Sequence, residues 1–128
     1  MCKLISIQAN NGTTVQVADI KAEIIKQIIN IASLCKKIES IYVFGSSVEE
    51  RCTNSSDIDI AIVSNVTRSK LFGAKDYNNF IEKLYDIDID QEYDILQFNS
   101  LEKLRESKEY VCKDIMEKGV LIYTKEVS

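Results

Sequence analysis

Between residues 18 and 39 the apolar side chains Ile20, Ile24, Ile28, Ile31, Cys35 and Ile38 recur at intervals of three and four, the period of one helical face. This spacing predicts a helix over 18–39 with Asp19 as its N-cap. Ahead of it, "LISIQANNGTTVQVAD" holds two short β-prone runs around Asn11-Gly12, a dipeptide suited to tight hairpins, so a hairpin is expected over 1–17. Beyond residue 39 the period shortens. "SIYVFG" reads as a buried strand ending at Gly45, and "DIDIAIV" as a second strand. The polar segment between them reads as helical, and "SNVTRS" after them as a loop leading to Lys70. Tyr77, Phe80, Ile81 and Leu84 give a helix over 75–85 its apolar face, and "QEYDILQF" supplies a third strand. Residues 100–119 read as helix in two pieces, with Leu101, Leu104, Val111 and Ile115 inward and Gly119 at the C′ position. "VLIYT" adds a last short strand. The expected fold is α+β, a small mixed sheet with helices packed on one face.

A length of 128 residues suits one domain with a modest core: a hairpin over 1–17 and a core over 18–124. The net charge is −4, with acids and bases interspersed, so no basic stripe is present to grip long nucleic acid. The chain has no histidine, which excludes Ser-His-Asp and Cys-His catalysis and imidazole-based zinc sites. Cys2, Cys35, Cys52 and Cys112 are widely spaced and form no C-x-x-C pair. With no signal peptide and no membrane-spanning apolar run, they read as reduced thiols of a cytoplasmic protein. Any chemistry must rest on carboxylates, lysines, hydroxyls and metals.

The Asp57-Ile58-Asp59 triplet changes the picture. In a strand, Asp57 and Asp59 share one face while Ile58, Ile60 and Ile62 share the other. Two partly desolvated carboxylates repel unless a proton or cation intervenes, and Mg²⁺ prefers such hard oxygen donors. The ordinary account is a solvated sheet face. Gly45-Ser46, at a strand end, weighs against it: exposed amides and a hydroxyl at such a turn can hold phosphate oxygens.

Gly45-Ser46, ten residues from Ser47 to Ser56, and then Asp57-Ile58-Asp59 resemble the signature of the DNA polymerase β-like nucleotidyltransferase superfamily. The tail "DIMEKGVLIYT" resembles the closing helix and strand of its minimal nucleotidyltransferase members. The resemblance spans roughly 20–124 and implies the polymerase β-like fold. It implies a third carboxylate on a later strand, for which Asp94 is preferred because it lies inside an apolar run. Asp86, Asp88, Asp90 and Glu92 are its neighbouring competitors. Minimal members often carry Arg and Gly where this chain has Glu49 and Glu50, acids that would weaken triphosphate binding; Arg51 follows them.

The implied reaction is transfer of a nucleoside monophosphate from an NTP, ATP foremost, to a hydroxyl. By resemblance, Asp57, Asp59 and Asp94 hold two Mg²⁺ ions and carry catalysis, and Gly45 and Ser46 hold the β- and γ-phosphates. The implied partner is a protein supplying the acceptor, as when minimal nucleotidyltransferase antitoxins modify HEPN-type toxins. Two other readings stand beside it: a non-catalytic binding or regulatory module on the same fold, and a small-molecule, antibiotic-modifying nucleotidyltransferase.

Overall fold

The computed structural model describes residues 2–125. Strands β1 (Leu4–Gln8) and β2 (Thr14–Ala18) form the expected antiparallel hairpin, with Leu4 opposite Ala18. Gly12 in its turn has φ 87, a left-handed conformation that glycine adopts without steric penalty. Asn10 ties the hairpin to the C-terminal strand: its Nδ2 donates to the Thr124 carbonyl at 2.7 Å, and its Oδ1 accepts from the Thr124 amide at 2.8 Å.

Helix α1 runs over Asp19–Ile31, is continued by a 3₁₀ turn at Ala32–Leu34, and gives way to β3 (Ile38–Phe44). The helix expected over 18–39 is therefore shorter, because Cys35 and Ile38 are fully buried in a turn and a strand that continue the same apolar spacing. Asp19 is the first helical residue and not the cap. Ala18 holds the cap position, and the Asp19 carboxylate instead accepts from the Lys3 amide at 3.2 Å. The inward face of α1 also differs: Ala22, Ile25 and Ile28 are buried while Ile20 is exposed.

The chain continues through a 3₁₀ turn (Gly45–Val48), β4 (Ile58–Ser64), α2 (Arg68–Phe72), α3 (Lys75–Ile87), β5 (Tyr93–Phe98), α4 (Leu101–Glu106), α5 (Tyr110–Lys118) and β6 (Val120–Thr124). The four strands of the main sheet lie in the order β5-β4-β3-β6. β3 is antiparallel to β4 and β6, and β4 is parallel to β5. The polar segment after Gly45 forms only the short 3₁₀ turn. "SNVTRS" is not all loop: the Thr67 hydroxyl accepts from the Lys70 amide and caps α2, which carries Arg68 and Lys70.

Ile58, Ile60 and Ile62 are fully buried against Ile25, Ile28, Phe80 and Leu84 of α1 and α3. Each such burial contributes about 1.5–3 kcal/mol relative to exposure, enough together to fix which way β4 faces. The long helices thus cover one sheet face as expected. The C-terminal pair α4 and α5 departs from that expectation, placing Leu104, Cys112 and Ile115 against Phe44, Ala61 and Val63 on the opposite face. Gly119 closes α5 at φ −67, not left-handed. A Cβ there would overlap the Ile115 carbonyl oxygen, so close packing is what favours glycine. All four cysteines are buried and unpaired. Among the described residues no helix is long and apolar enough to cross a membrane.

Candidate functional site

Residue 59 lies on the β4 face that α5 only partly covers. Asp59 stands in register with Asp94 on the parallel neighbour β5 and with Phe44 on β3. Adjacent strands are about 5 Å apart, so the two carboxylates emerge side by side. Asp57 sits one residue before β4 begins, just after a turn at Asn54-Ser55 and not in the strand. That turn is built by Thr53 and Ser56: the Ser56 amide donates to the Thr53 carbonyl at 3.0 Å, and the Thr53 amide donates to Ser56 Oγ at 3.0 Å. Asp57 and Asp94 are exposed and Asp59 is half-buried.

Of the competing acids, Asp86 lies in the last turn of α3. Asp88 and Asp90 form a turn of their own, in which the Asp90 amide donates to Asp88 Oδ1 at 2.9 Å. Only Asp94 shares a register position with Asp59. Asp94→Asn is therefore expected to reduce nucleotidyl transfer on the order of a hundredfold, while Asp90→Asn leaves it within about twofold. Label incorporation from α-labelled ATP into protein of a cell extract measures both; the reverse ranking would move the third acid to Asp90.

Gly45 opens the 3₁₀ turn at the end of β3 with φ 69. A Cβ at this position would overlap Asp59 Oδ2, so backbone conformation and lack of space both select glycine. The Gly45 turn and the Asp59 side chain of β4 are thus in direct contact. Ser46 is half-buried in the same turn. The neighbouring Ser47 is fully buried, and its Oγ has no hydrogen-bond partner among the described residues.

Burial, then the charges of Asp94 and Asp57, push the Asp59 carboxyl up from 3.8 to about 6; Arg51 opposes the shift and Asp114 adds to it. Asp114 of α5 and Arg51 are site neighbours that sequence spacing did not assign. Arg51 is held by Glu49 through two contacts, Nε to Oε2 at 3.1 Å and Nη2 to Oε1 at 3.2 Å. That hydrogen bond lowers the Glu49 pKa, so the acid expected to repel a triphosphate already has a cationic partner. Among the described residues no three Cys, Asp or Glu side chains are drawn together as a ready-made metal-binding group. The donor set nevertheless fits a hard divalent cation: the oxygens are carboxylates, and burial together with the neighbouring acids makes Asp59 hold its proton more tightly than an ordinary aspartate. The exposed Asp57 and Asp94 have the rotamer freedom to turn toward an ion.

The cavity lined by Ser64, Arg68, Gln97 and Lys103 lies at the other end of the parallel pair. It is about 16 Å along β4 from Asp59 and is not the carboxylate site.

The fold is similar to a crystal structure of the toxin–antitoxin MntA–HpeT in mutant form, with 19% identity over 80% of this chain and 74% of that one and a TM-score of 0.53. It is similar also to a crystal structure of a toxin–antitoxin with AMP-PNP, with 21% identity over 80% and 74% of the two chains and a TM-score of 0.53. No curated protein sequence matches the chain. The family described as Polymerase beta, Nucleotidyltransferase matches residues 26–127, a span that includes the Gly45-Ser46 turn, Asp57, Asp59 and Asp94. The chain is thus a member of the polymerase beta nucleotidyltransferase family.

Proposed function

We propose that this protein transfers AMP from ATP to a hydroxyl on a partner protein, in the manner of a minimal nucleotidyltransferase antitoxin acting on a HEPN-type toxin. The observation that carries the reading is the register of Asp59 with Asp94 beside the Gly45 backbone. Two neighbouring carboxylates beside a glycine turn support a single site for metal and phosphate. Fold likeness to two toxin–antitoxin structures, one with AMP-PNP, supports the nucleotide and the protein partner.

In this reading Asp57, Asp59 and Asp94 hold Mg²⁺. The bound metal would stabilise charge on the attacking and leaving oxygens. The backbone at Gly45 and Ser46 takes the β- and γ-phosphates, which orients the α-phosphorus toward the acceptor. Asp94, the most exposed of the strand-borne acids, accepts the proton of the acceptor hydroxyl as its oxygen bonds to the α-phosphorus. The bond to the departing pyrophosphate breaks in the same displacement. Positioning and electrostatics do the work, which a chain without histidine can supply.

Thermal denaturation with each of the four NTPs, with and without Mg²⁺, tests the proposal. ATP with Mg²⁺ at about a hundred times its Kd stabilises the native state by about 2.7 kcal/mol, and Asp59→Ala loses the shift while remaining folded. A Mg²⁺-independent shift, or one retained in Asp59→Ala, would sink the metal-site assignment. No shift with any NTP would favour the binding-module reading.

A further inference from the structure

Lys21 is 2% exposed, yet its hydrogen bonds go to neutral acceptors: Nζ donates to the Asn54 carbonyl at 3.1 Å and to Gln91 Oε1 at 2.6 Å. Burying an ammonium group carries a penalty of several kcal/mol, and a well-packed apolar side chain would often serve stability as well. The charge therefore calls for an explanation beyond packing. Gln91, 7% exposed, uses the rest of its amide: Nε2 donates to the Ser56 carbonyl at 3.0 Å and to the Glu92 carbonyl at 2.7 Å. The Glu92 carbonyl also accepts from the Ile58 amide at 3.1 Å.

These contacts converge where the acids emerge. The Ser56 carbonyl belongs to the peptide leading into Asp57, and Glu92 lies two residues before Asp94. One side-chain amide thus bridges the two segments that deliver the carboxylates, and Lys21 holds that amide in place from α1. Asn54 links Lys21 a second time to this segment, through the turn that precedes Asp57. Lys21 lies ahead of residues 26–127, the span that the family model matches.

We propose that Lys21, acting through Gln91, is a positioning residue that sets the spacing of Asp57 and Asp59 against Asp94, and with it the affinity of the three acids for a divalent cation and nucleotide. The inference rests on the nucleotidyltransfer reading. It predicts a change in cation binding, whereas an anchor for α1 alone would change only stability.

The test measures Mn²⁺ affinity in the presence of ATP, from the EPR signal of free Mn²⁺, beside thermal denaturation of the full chain. Lys21→Met removes the ammonium. Gln91→Glu keeps an acceptor for Lys21 but removes both donors to Ser56 and Glu92. Each variant is expected to bind Mn²⁺ about tenfold more weakly, the scale of supporting-residue effects at metal sites, while retaining a cooperative unfolding transition. Wild-type Mn²⁺ affinity in folded Lys21→Met overturns the proposal and leaves the nucleotidyltransfer reading intact. Should Lys21→Met not fold, Gln91→Glu decides by the same readout. If neither folds, the pair is a folding element and the proposal fails. If the wild type itself binds no Mn²⁺ with ATP, the nucleotidyltransfer reading falls and takes the proposal with it.

Discussion

Asp59→Asn is expected to abolish nucleotidyl transfer and, at neutral pH, to make the protein more stable. The loss follows from removing a charge placed where the reaction builds its own, several kcal/mol of transition-state stabilisation or on the order of a thousandfold in rate. The gain follows from the same geometry. Asp59 is half-buried beside Asp94 and Asp57, which with burial raise its pKa from 3.8 to about 6. A group whose folded pKa lies above its unfolded value binds more protons in the folded state. Stability therefore falls as pH rises between those two values and stays low above the higher one.

Below about pH 4 the carboxyl is protonated in both states and wild type and variant should match. The gap should open between pH 4 and 6 and flatten above 6, reaching about 2 kcal/mol once partial exposure is allowed for, or roughly 5–8 °C in Tm for a domain of this size. Thermal denaturation from pH 4 to 8 in a chelating buffer measures it, and added Mg²⁺ should narrow the gap at neutral pH. Equal stability at all pH values would mean that neither burial nor the neighbouring acids raise the Asp59 pKa. This is the trade expected of a site organised for ligand rather than for stability.

The acids were legible because the strand carrying them was. Alternation of Ile58, Ile60 and Ile62 with polar or small residues fixed the facing of β4, and the apolar run around Asp94 marked β5. Their register was not legible, since parallel pairing brings together residues 35 apart in sequence and no local pattern encodes it. Asp57 was read as a strand residue because alternation extends to it, whereas pairing of β4 begins only at Ile58, shortly after the turn that Thr53 and Ser56 close through local hydrogen bonds. The end of α1 was misread for a related reason: Ala32, Cys35 and Ile38 are all buried, and helix, 3₁₀ turn and strand can share one apolar spacing over a few residues. The rotation of α1 was misread, because the stripe through Ile20 and Ile24 was taken as the inward one whereas Ala22 and Ile25 join Ile28 in the core. What sets it includes the Lys21–Gln91 contact, invisible until a glutamine 70 positions away is placed beside it. The α4–α5 face had an inward pattern in the sequence, but nothing there said which side of the sheet it would cover.

Gly45→Ala is expected to destabilise the fold by about 2–3 kcal/mol and to lose the Mg²⁺-dependent nucleotide shift. Part of the destabilisation is conformational: at φ 69 a residue with a Cβ is strained by roughly 1–2 kcal/mol. The remainder is contact, because the new Cβ would overlap Asp59 Oδ2 and force that carboxylate out of its rotamer. The two parts separate in a double-mutant cycle with Asp59→Ala. Shortening Asp59 removes the overlap and leaves the backbone strain, so the double variant should be more stable than the sum of the single changes by about 1 kcal/mol. Urea denaturation of the four proteins supplies the cycle, and strict additivity would show that Gly45 and Asp59 do not touch. Coupling of that sign would mean that the Gly45 turn and the Asp59 carboxylate, the groups proposed to take phosphate and metal, are set by one contact. In that case no side chain can be added at residue 45 without moving the acid beside it.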